Sequence, residues 1–175
     1  MRNATELMVQ YAAYHRDPRN LASHFVGIPL IVFAVGIFLA RPAIMLGGLP
    51  LTPAWLVWAL TTLWYLSRGN LLLGLAVSLL NGVLIALAQA LASGSVTHWL
   101  SCGLGVFALG WAIQFVGHYY EGRKPAFVDD LVGLLVGPMF VAGELLFALG
   151  RERSLLAEIE QRVGPTVRRE MSRGA

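Results

Sequence analysis

The chemistry this chain could do rests first on its four histidines, His15, His24, His98 and His118. Neutral imidazole binds Zn, Cu, Fe and Ni, so three rings meeting at one point would hold a divalent transition metal. Acids stand close to them. Glu121 follows His118 by three residues, which on a continuing helix puts both on one face. Asp129 and Asp130 come just after Pro125-Ala126. One carboxylate with two histidines would make a facial triad open to oxygen; alternatively it would accept a ligand's ring N–H and fix the ring. A salt bridge to Arg123 or Lys124 is the plainer role, and the one expected for Asp130. Glu144 is expected to pair with a polar group between helices. Arg16, Arg19, Arg123 and Lys124 surround the same positions. An arginine fork matches a carboxylate head group bidentately, a task for which Arg19 and Arg123 are the candidates. Anchoring at a positive membrane face accounts for at least half of these cations. Gly133 and Gly137 form a GxxxG, read as helix packing. No phosphate loop, CxxC pair or Ser/His/Asp arrangement occurs in recognisable form.

The elements that must position these residues are mostly apolar. Of 175 residues, 57% are hydrophobic and 13% charged, with a mean hydropathy of +0.65. A soluble domain would carry about a quarter charged residues. This excludes a disordered chain, an ordinary soluble domain and, with Cys102 the single cysteine, a secreted disulfide scaffold. A single integral membrane domain over 1–175 is left. The net charge of +3 sits beside apolar runs, so membrane lipid, not nucleic acid, is the expected partner. Residues 1–20 include Glu6, Arg16, Asp17 and Arg19 with no apolar core, which predicts a polar N-terminal segment and no cleavable signal peptide.

The pattern predicts an all-α, polytopic helix bundle with about four spans plus a broken segment. The spans fall at about Leu21–Ala40, Ala54–Leu66 (short and rich in tryptophan), Leu71–Leu91 and Trp99–Tyr119. Pro50 and Pro53 mark a tight turn between the first two. The last apolar stretch, Phe127–Leu149, is expected to break at Gly137-Pro138 into a re-entrant or in-plane pair. The charged tail, residues 151–175, reads as an amphipathic helix stopped by Gly164-Pro165. With four spans, twelve of the thirteen Lys and Arg, all but Arg41, share one side, and the positive-inside rule makes that side cytoplasmic, with both termini. His15, His24 and His118 then gather there, whereas His98 lies roughly a membrane thickness away. Asn20 is expected to cap the helix following Pro18, placing His24 in its first turn, where the helix dipole favours a neutral ring.

Two stretches carry a resemblance. One runs Tyr14-His15-Arg16-Asp17-Pro18-Arg19-Asn20 and on through His24, Gly27 and Pro29. The other runs Gly110-Trp111-Ala112-Ile113-Gln114-Phe115-Val116-Gly117-His118, then Glu121, Pro125-Ala126, Asp129 and Leu131. From about Tyr11 to Gly150 the chain resembles a small membrane family typified by a yeast endoplasmic-reticulum 2-hydroxy fatty acid dioxygenase. That resemblance implies an Fe(II)-dependent oxidoreductase of fatty acid α-oxidation, which uses O2 to shorten a 2-hydroxy fatty acid by one carbon. It makes His15, His24 and His118 the iron ligands or their close partners. Independently of the resemblance, Glu121, Asp129 and Asn20 are the candidate catalytic or ligand-supporting groups, and Arg19 and Arg123 the candidates to hold the substrate's head group. Two departures stand out: the family's glutamate usually comes four residues after the histidine, not three, and its Asp-Asn is here Asp129-Asp130. A non-enzymatic membrane transporter or scaffold is the rival reading. The alanine- and arginine-rich composition, with one lysine, suggests a bacterial inner membrane, with the endoplasmic reticulum as alternative.

Overall fold

The fold is seen in a computed structural model that describes residues 2–47 and 49–170. Tail residues 171–175 lie outside the described part. Among the described residues seven α-helices make the bundle: α1 Ala4–Ala12, α2 Pro18–Leu39, α3 Pro53–Leu66, α4 Leu71–Gln89, α5 Val96–Glu121, α6 Gly133–Ala148 and α7 Arg153–Val163. A short antiparallel hairpin, β1 Ile44–Leu46 with β2 Leu49–Leu51, occupies the turn between α2 and α3. The expected all-α bundle is therefore present.

Among the described residues three helical stretches are long and apolar enough to cross a membrane: α2 with 22 residues, α4 extended by a 3-10 turn to 22, and α5 with 26. At 1.5 Å per residue the 14 residues of α3 reach only ~21 Å, short of a ~30 Å core. Even so, α3 brings the chain back to the side it started from, because the Ala4 N–H donates to the Arg68 carbonyl at 2.9 Å. At the opposite end, Arg41 donates to the carbonyls of Ala92 and Gly94. Among the described residues Arg41 is the cation found there.

The last apolar stretch departs from expectation in where it breaks. Helix α6 continues through Gly137-Pro138. Pro138 is the sixth helical residue, so its missing N–H forfeits one bond, to the Leu134 carbonyl, rather than splitting the helix. The break comes at Gly150, with φ +70°, and Glu152, with φ +52°, where α6 and α7 meet at 114°. Both ends of α6 stay on the side of His15. Asp130, before its start, pairs with Arg2, and Glu152, after its end, accepts from the Asn70 amide at 2.8 Å. It packs on α1 and α4, burying Phe140 in one cluster with Met8 and Leu73. Leu155 and Ile159 of α7, one turn apart, close the same cluster. Gly164 then ends α7, as its Gly-Pro sequence predicted.

Helices α2 and α5 form the tightest pair, and glycine is the reason. Gly103, Gly110 and Gly117 recur every seven residues on the face of α5 that meets α2. A Cβ on Gly110 would lie 2.8 Å from Ile31 Cγ1 and 3.1 Å from the Gly27 carbonyl; on Gly117 it would lie 1.8 Å from Ser23 Oγ. This close approach sets His24 beside His118.

Candidate metal centre

His15 lies in the turn between α1 and α2, His24 in the second turn of α2, and His118 in the last turn of α5. All three are buried, and one ring nitrogen from each lies within 4.8 Å of the others. The ring centroids are 4.3 to 5.1 Å apart and the planes cross steeply, at 68 to 79°. The backbone fixes which nitrogen faces inward. His15 Nδ1 donates to the Tyr11 carbonyl at 2.7 Å, and His24 Nδ1 to the Asn20 carbonyl at 2.9 Å. His15 Nε2 and His118 Nδ1 are left buried with no partner. A ligating histidine normally has its second ring nitrogen tied down in this way. Burial, reinforced by the neighbouring His24 ring, holds the His15 imidazole well below the usual histidine range, so it is neutral at pH 7.

The acids surround this centre without entering it. Glu121 receives the backbone N–H of Arg16 at 3.0 Å and of Asp17 at 2.8 Å, and the Asn20 amide at 3.0 Å. It thereby ties the end of α5 to the loop carrying His15. Asp17, not Asn20, caps α2: Pro18 takes the first helical position, where its missing N–H costs nothing, so the residue before it is the cap. Asn20 therefore falls inside the helix, and His24 one turn later than the first. Asp17 also receives both prongs of the Arg19 fork, at 2.9 and 2.7 Å, which holds its carboxyl far below the usual range. Asp129 accepts from Tyr14 and pairs with Lys124. Asp130 pairs with Arg2, where Arg123 or Lys124 was expected. Glu144 lies 4.0 Å from Arg16. Arg123 donates to the Ala13 carbonyl. Of the arginines suggested for a head group, neither Arg19 nor Arg123 lines the cavity beside the histidines.

That cavity, of about 70 Å³, is walled by His24, His118, Tyr11, Gln114 and apolar residues of α2 and α6. Gln114 and Tyr11 are polar groups to which the sequence alone assigned no role. Gln114 is 4% exposed and its Oε1 has no hydrogen-bond partner. It stands one turn before His118, and a lone amide inside an apolar span was signal enough. Tyr11 stacks flat on His15, centroids 4.1 Å apart. Its spacing of four from His15 hinted at this only if α1 continued, and α1 ends at Ala12. His98 is twenty residues up α5 from His118, ~30 Å along the axis, and lies near Cys102 instead.

Residues 1–149 match the family described as 2-hydroxy-palmitic acid dioxygenase Mpo1-like. The chain belongs to the Mpo1-like family. It is 37% identical over 153 residues to the 2-hydroxy-palmitic acid dioxygenase MPO1 of Saccharomyces cerevisiae, covering 86% of this chain and 83% of that one. No solved structure matches. The Mpo1-like match contains all three histidines and ends before α7. The tail nonetheless reaches the centre: the Arg169 N–H donates to Asp17 at 2.8 Å and its side chain to the Glu121 carbonyl.

Proposed function

We propose that His15, His24 and His118 hold Fe(II), and that the protein is a dioxygenase that shortens 2-hydroxy fatty acids by one carbon. The observation that carries this reading is the trio of converging buried imidazoles, in which His15 Nε2 and His118 Nδ1 lack partners while the Nδ1 atoms of His15 and His24 are tied to backbone carbonyls. The family membership supplies the substrate class. Such a donor set suits iron, and an ion there would satisfy the orphaned nitrogens. Bound iron supplies the activation of O2. The balance is complete with O2 alone: a 2-hydroxy acid and one O2 give an acid one carbon shorter, CO2 and water. Four electrons leave C1 and C2 and four enter oxygen, so no further reductant is required.

The chain's own residues then bind, orient and exclude water. Tyr11 packs against His15 and limits its rotation. Glu121 holds the His15 loop at the foot of α5. For the head group we favour the Gln114 amide and the Tyr11 hydroxyl over Arg19 and Arg123, because both guanidinium groups are already engaged. The apolar walls keep the site dry, where polar contacts to the substrate are strongest. Asp129 and Asn20 act at one remove, Asp129 by fixing Tyr14 and Asn20 through its carbonyl on His24. We place the histidine side in the cytoplasm, where the positive-inside rule puts the cations.

The test is oxygen uptake by the anaerobically purified, iron-loaded protein given 2-hydroxyhexadecanoic acid, with pentadecanoic acid and CO2 as expected products. Uptake without a shortened acid overturns the reaction, and neither uptake nor bound metal returns the chain to the scaffold or transporter reading.

A further inference from the structure

The apolar space does not end at the histidines. Ile31, Val32, Trp111, Leu134 and Pro138 wall both the cavity at His24 and His118 and a second one of about 340 Å³. The second follows α2 to Leu39 and α3 from Tyr65 to Ala54, and closes against Ile85 of α4. Its few polar side chains are turned elsewhere. The Tyr65 hydroxyl donates to the Leu135 carbonyl at 2.9 Å, the Trp58 N–H to the Ser78 carbonyl at 2.8 Å, and Thr61 to carbonyls of its own helix. Apart from the Asn81 amide of α4, what remains facing the space is carbon.

Its length is informative. From His24 to Leu39 is fifteen residues of α2, ~22 Å. Each leaflet of a ~30 Å hydrocarbon core is about one long acyl chain deep, ~15 Å, so a whole extended chain fits with its head at the histidines. A side entrance exists as well. Helix α5 packs extensively on α2, whereas its contacts with α3 and α6 are sparse. The gap between them leaves Leu134 of α6 49% exposed on its rim.

We propose that these joined cavities are an acyl channel: the unbranched chain of the lipid substrate enters sideways from the bilayer between α5 and the α3–α6 pair, and its methyl end stops at Leu39, Ala54 and Ile85, which set the longest chain accepted. This rests on the substrate reading above, and two readouts separate the two claims. In the first, 2-hydroxyoctadecanoic acid carrying bromine near its methyl end is added to the full chain in lipid nanodiscs, with the other tryptophans replaced by phenylalanine to leave Trp58 or Trp111. The channel predicts saturable quenching of Trp58, competed by unlabelled 2-hydroxyhexadecanoic acid, and weaker quenching of Trp111. Quenching that rises with lipid loading and never saturates overturns it, whatever the turnover.

The second readout is chain-length preference. Val35→Trp fills the deep half from α2, and Val57→Trp fills the same half from α3. Each is expected to lower turnover of 2-hydroxyhexadecanoic acid at least ~10-fold while sparing 2-hydroxydecanoic acid, since misfit in an apolar pocket costs about that much per methylene. Bound metal stays unchanged. Equal loss on both substrates from a folded variant overturns the ruler. Saturable Trp58 quenching without any turnover in the wild type leaves the channel standing and removes the dioxygenase reading.

Discussion

Gly117 is the position where a single added methyl should separate two of the three histidines. It precedes His118 on α5 and faces the first turns of α2. A Cβ placed there lies 1.8 Å from Ser23 Oγ, 2.5 Å from Asn20 Oδ1 and 2.9 Å from Ser23 Cβ. The hydroxyl can rotate away by giving up its bond to the Asn20 carbonyl, but Ser23 Cβ cannot. Reaching an ordinary 3.4 Å contact therefore moves the helices apart by about half an ångström. Overpacking of this kind costs ~1–3 kcal/mol. A metal site tolerates only about ±0.2 Å in its bonds, so the strain falls largely on the ion. We expect Gly117→Ala to weaken metal binding by roughly 5- to 150-fold, at 1.4 kcal/mol per factor of ten. Ser23→Ala in the same chain should recover part of that loss. The assay is competition for the metal against a chelator, run beside a thermal melt. The control is Gly105→Ala on the same helix, where a Cβ meets nothing within 4 Å. Equal metal affinity for the Gly117 and Gly105 variants would refute the claim that glycine holds the two helices, and the two histidines, together.

Glu121→Gln keeps the shape but removes the charge that collects three donors. We expect a loss of ~1.5–3 kcal/mol in unfolding free energy with metal still bound, whereas a ligand role for Glu121 would show as lost metal. Asp17 gives a pH test. Its folded carboxyl is held below the ordinary value by the Arg19 fork, so its contribution is complete above that value and fades as pH falls through the lowered one. The stability gap between wild type and Asp17→Asn should hold steady from pH 7 to about pH 5 and begin to narrow only below about pH 4, the ordinary carboxylate range; a gap that widens on acidification contradicts the assignment. Arg169→Ala removes one tie from the tail to the end of α5. Hydrogen exchange should quicken in residues 15–19 with melting temperature little changed, and unaltered exchange there would mean the tail does not hold the loop.

The spans were legible because a lipid-facing helix must be apolar throughout, and few other segments are. The site was legible to the extent that it rides on helix geometry: spans of known length put His15, His24 and His118 on one side and His98 on the other. What escaped depended on long-range contact. Glu121 reads as a neighbour of His118 three residues away, yet its partners are Arg16, Asp17 and Asn20, more than a hundred residues distant. The cap of α2 was within reach, since Pro18 at the first helical position points to Asp17. Gly137-Pro138 misled because a proline early in a helix forfeits a single bond, and packing of α6 on α1 outweighs it. The arginines were read by type alone, whereas buried Asp17 and the Ala13 carbonyl had already engaged them.

The central claim is that three histidines, and not the fourth, hold one metal ion. Metal analysis of the anaerobically purified chain tests it most directly, comparing wild type with His118→Ala and His98→Ala. The expected result is about one iron per chain in wild type and in the His98 variant, and almost none in the His118 variant. Iron retained after loss of His118, or lost equally with His98, would contradict the account.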